Sequence, residues 1–170
     1  MKIVEALKLR KELLVKADDL RKKIAGSSAH LSIETPAYAD QPRQVAEWLQ
    51  AHESLMQEIA ALSMRVQKTN IATSVTLQIG GKSVAKPIAE WVLRRRELAK
   101  LDEAAWSQLT DRNLKEQNVQ TSPGGPVTEI RIKRCFDAKV RDDKIALYKS
   151  EPGVIDRTLE VINATTDLLE

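Results

Sequence analysis

The sequence predicts a mainly α protein, an antiparallel bundle of long helices or a coiled-coil-like helical hairpin with a small antiparallel β insert. Three observations carry this. Between Gln41 and Thr73 the residues Val45, Trp48, His52, Leu55, Ile59, Leu62, Val66 and Thr69 recur at alternating spacings of three and four, the narrow seam of one helix packed along another. Aromatic residues make up only 4% of the chain, so the core must be built from Leu, Ile, Val and Ala. Strand periodicity is confined to two short stretches, about 75–84 and 127–136. A chain of 170 residues is long enough for one domain with a real core, and the expected organisation is a single helical domain spanning residues 1–170.

The first helix is expected over about 2–25. Ile3, Ala6, Leu7, Leu13, Leu14, Ala17, Leu20 and Ile24 recur at helical spacing, with Arg10 interrupting the stripe. Gly26 is in place to end it, with Lys22 and Lys23 in the last turn. A loop follows to Asp40, which is suited to cap the second helix, about 41–70, with Pro42 in the tolerated first turn. A helix over 41–69 would be roughly 43 Å long and needs cover along that length. Leu49 and Met56 widen its seam into a stripe.

Around Asn70 the period changes. Val75, Leu77 and Ile79 alternate with polar residues, and Gly80-Gly81 reads as a two-residue hairpin turn. A third helix is expected over about 84–118, carrying Ile88, Trp91, Val92, Leu98, Leu101, Ala105 and Leu109. Ser122-Pro123-Gly124-Gly125-Pro126 is a loop. The alternation from Val127 to Phe136 reads as a strand able to pair with the 75–84 hairpin. Residues 138–149 fit no single period, and Ser150-Glu151-Pro152 would open a last helix over about 151–168.

Four stretches together resemble the septicolysin-like family of small bacterial and phage proteins. They are Ile3-Val-Glu-Ala-Leu-Lys-Leu-Arg10, Arg65-Val-Gln-Lys-Thr-Asn70-Ile-Ala-Thr73, Ile88-Ala-Glu-Trp91 with Arg94-Arg95-Arg96-Glu97-Leu98, and the segment Ile155 to Leu168. The resemblance covers nearly the whole chain. It implies a helical fold with a small β insert and implies no activity. Pro152-Gly153 departs from the pattern, where the family runs one long helix, so a break in the last helix is expected there.

Several chemistries are disfavoured. Gly81-Lys82-Ser83 matches the end of a phosphate-binding loop, but the glycine required five residues earlier is Thr76. His30 and His52 have no metal-ligand spacing, and the single cysteine, Cys135, rules out an internal disulfide and a cysteine-built zinc site. Neither a catalytic constellation, a metal nor a cofactor is expected. No run approaches the ~20 apolar residues of a membrane span, and the charged first 25 residues do not read as a signal peptide. The expected location is the cytoplasm of a bacterial host or a virion.

Charge suggests partners. Residues 1–24 hold eight basic and four acidic residues, a net +4, and residues 151–170 hold five acidic and one basic, a net −4. Opposite charges beside apolar stripes select helix partners. The expected function is therefore a non-enzymatic structural protein that self-associates, with phage virion proteins as further partners. The candidate interface is Arg21, Lys22 and Lys23 against Asp156 and Glu160, with Asn70 and Asn163, in similar Thr-rich contexts, as a shared polar contact. The alternative is a nucleic-acid-associated protein using the basic segments 94–96 and 131–141, with Arg94, Arg95, Arg96, Arg131, Lys133 and Arg134 as contacts.

Overall fold

The structure, a computed structural model, describes every residue from Met1 to Glu170. The element order is α1 (Ile3–Ser27), α2 (Gln41–Ala72), β1 (Ser74–Ile79), β2 (Lys82–Pro87), α3 (Ile88–Leu93), a π-helical turn (Arg94–Leu98), α4 (Ala99–Ser107), β3 (Gln117–Gln120), β4 (Val127–Ile130) and α5 (Ala138–Thr165). The protein is mainly α, 62% helical, with two small two-stranded antiparallel sheets. Its contacts divide it into two compact units, Met1–Val75 with Ala85–Ala89 and Thr158–Glu170, and Thr76–Val84 with Glu90–Arg157.

The first unit is organised by the α1–α2 hairpin. Glu5 accepts the backbone N–H of Lys2 at 2.7 Å and opens α1. The α2 helix starts as its sequence requires, with Asp40 accepting from the Arg43 N–H at 3.1 Å and Pro42 in the first turn. Gly26 does not end α1; the helix continues to Ser27. The closure comes instead from Gln41, which donates to the Ser27 carbonyl at 2.8 Å and accepts from the Ala37 N–H at 3.1 Å. The first satisfies an orphan carbonyl at the helix end, and the two together satisfy both ends of the Gln41 amide, which is why a polar residue tolerates burial there.

Along the seam of α2, Ile59, Leu62, Val66 and Thr69 are buried, while Val45, Trp48, His52 and Leu55 are half-buried. The matching α1 positions Ile3, Ala6, Leu13 and Ala17 are buried. Arg10 occupies the seam position between Ala6 and Leu13 and donates to Ser63 of α2 at 2.9 Å. The chain ends meet in this unit. Ile3 donates its N–H to Thr166 at 3.1 Å, Leu168 donates to Met1 at 2.8 Å, and Lys2 pairs with Asp167 at 2.8 Å. The tail is then strapped along the last turns of α2. Leu169 donates to the hydroxyl of the fully buried Thr69 at 2.9 Å, and Arg65 and Lys68 bind the carbonyls of Leu169 and Glu170.

The second unit differs more from the sequence expectation. Gly80 and Gly81 make the hairpin turn between β1 and β2 with φ of 57° and 75°, the positive values a two-residue turn demands. The helix expected over 84–118 starts at Ile88 and ends at Ser107, because β2 runs on to Pro87 and because Arg112 and Asn113 turn the chain with positive φ. Its middle is a π-helical turn, one residue per turn wider than the α-helix, which slips the apolar period. The strand expected over 127–136 stops at Ile130, and it pairs with β3, Gln117 opposite Ile130 and Gln120 opposite Val127, not with the 75–84 hairpin. The last helix begins at Ala138, well before residue 151, and runs unbroken through Pro152 to Thr165. Pro152 removes one backbone bond, but the side chains on either side of it, Glu151 and Ile155, are both buried and hold the helix in line.

Candidate functional site

The densest polar cluster lies on the π-helical turn. Arg94 grips Glu151 with two parallel bonds, Nε at 2.7 Å and Nη2 at 2.8 Å, and reaches Asp102 with Nη1 at 2.5 Å. The Arg94 side chain is 18% exposed and Glu151 4%. The Tyr148 ring lies 5.3 Å below the guanidinium. Glu151, then desolvation working against it, then Asp102 set the balance that keeps Arg94 protonated beyond its ordinary range. Next to it, Arg95 pairs with Asp156 at 2.6 Å. The wider turn lets successive arginines reach acids on α5. This is a packed, satisfied ion-pair network.

A second polar cluster surrounds the 108–116 turn. Arg134 binds Asp111 through two bonds of 2.6 and 2.7 Å, which hold the Asp111 carboxyl below its ordinary value. Arg141 donates to the Leu109 carbonyl at 3.0 Å. A hollow of about 190 Å³ lies between this turn and the 132–136 segment, lined by Thr110, Arg112, Lys133 and Cys135 among others.

Of the residues proposed for nucleic-acid contact, Arg94, Arg95, Arg131 and Arg134 are therefore paired with Glu151, Asp156, Glu129 and Asp111. Arg96 and Lys133 are exposed. The proposed interface residues are not drawn into one patch. Arg21 and Lys22 both bind Asp18 on their own helix, which holds the Asp18 carboxyl below its ordinary value, Lys22 contributing most. Lys23 and Glu160 are exposed, and Asp156 is taken by Arg95. Asn70 is half-buried with its side-chain oxygen buried and unpartnered, and Asn163 is half-buried. The segment that meets the N-terminus is the chain's own residues 165–168.

No three His, Cys, Asp or Glu side chains converge as metal ligands, and no helix is long and apolar enough to cross a membrane. What sequence reasoning missed is the open apolar face of the α1–α2 hairpin. Leu7, Leu14, Leu49 and Met56 are 40%, 42%, 53% and 37% exposed. The signal is present in the sequence, since Leu49 and Met56 sit beside the seam rather than in it, but spacing alone does not say whether other helices cover them.

No family model matches the chain, and no curated protein matches it. A solved structure similar to it is a functionally unknown conserved protein from Corynebacterium diphtheriae, 22% identical, with a TM-score of 0.59 over 99% of each chain. That likeness concerns the fold.

Proposed function

We propose that this chain is a structural protein that works by self-association through helix packing. The observation that supports this most is the unevenly covered seam. The half of α2 nearest β1 buries Ile59, Leu62, Val66 and Thr69, while the half nearest the hairpin loop leaves Val45, Trp48, His52 and Leu55 half-buried. A seam of heptad spacing gains stability from being enclosed, and along this half α1 leaves it only partly covered. The setting we propose is a multi-copy particle of the kind phages build, which rests on the septicolysin-like resemblance of the four stretches. Sedimentation equilibrium of the full chain tests the reading. At tens of micromolar and low salt it should give a mass above one chain, falling towards one chain as salt rises. A constant single-chain mass would count against it.

A further inference from the structure

We draw no further inference here: the strongest candidate, the exposed apolar face of the α1–α2 hairpin at Leu7, Leu14, Leu49 and Met56, carries none because nothing in the structure shows what covers it.

Discussion

Arg94 and Glu151 stand fifty-seven residues apart in sequence and are joined by two hydrogen bonds of 2.7 and 2.8 Å, with the carboxylate almost wholly buried. The π-helical turn aims the arginine, and the residue after the glutamate is the proline that should have broken α5. The pair thus ties the π-helical turn to the proline-bearing stretch of α5 in one packed contact.

Removing one partner should be more damaging than removing both. Arg94→Ala strands a buried carboxylate and should cost about 3–5 kcal/mol. Arg94→Met with Glu151→Leu replaces the pair by apolar volume and should cost less than either single change. Urea denaturation measures all three. A double variant as unstable as the two singles combined would show that the pair is not a coupled unit.

The seam should grade in energy along α2. Ile59→Ala, at a buried position, should cost about 2–5 kcal/mol. Leu55→Ala, half-buried, should cost less in the dissociated chain. Changes at the exposed Gln57 or Glu58 should stay within about 0.5 kcal/mol. A flat profile across these positions would mean that the heptad assignment is wrong.

These contrasts show what the sequence made legible. The α2 seam was readable because spacings of three and four persist over eight positions, and every seam residue is buried or half-buried. The caps at Asp40 and the Gly80-Gly81 turn were readable because each has a specific local mechanism. The π-helical turn was not, because an inserted residue only blurs an apolar period. Strand β3 is Gln-Asn-Val-Gln and carries no alternation of hydrophobicity to detect. Continuity through Pro152 depends on burial of Glu151 and Ile155, a tertiary fact. The basic clusters were visible, but the acidic partners Glu151, Asp156 and Asp111 of Arg94, Arg95 and Arg134 lie tens of residues away.

The two turn glycines should differ sharply. A Cβ on Gly80 would sit 3.1 Å from Leu147 Cδ1 at φ +57°, whereas Gly81 has open space at φ +75°. Gly80→Ala should therefore be the costlier change, by about 1 kcal/mol or more over Gly81→Asn, because Asn tolerates the left-handed region. Thermal melts of the two variants compare them; equal melting temperatures would remove the packing role given to Gly80.

The contact between the chain ends should weaken in acid. Lys2 holds the Asp167 carboxyl below its ordinary value of 3.8. A folded value below the unfolded one contributes stability that is present above about pH 4 and is lost as pH falls through the folded value. A carboxyl NMR titration should place Asp167 below 3.8, and Lys2→Gln should raise its midpoint. An unchanged midpoint in that variant would show that the ion pair does not govern the carboxyl.

Self-association is tested most directly by pulsed electron spin resonance on chains carrying one label each. Cys135→Ser removes the native thiol, and Gln50→Cys places a single label on an exposed position of α2. With one label per chain, any dipolar coupling must come from two copies. Dipolar coupling at about 100 µM and low salt, weakening as salt rises, is the result predicted. Absence of coupling under those conditions would contradict it.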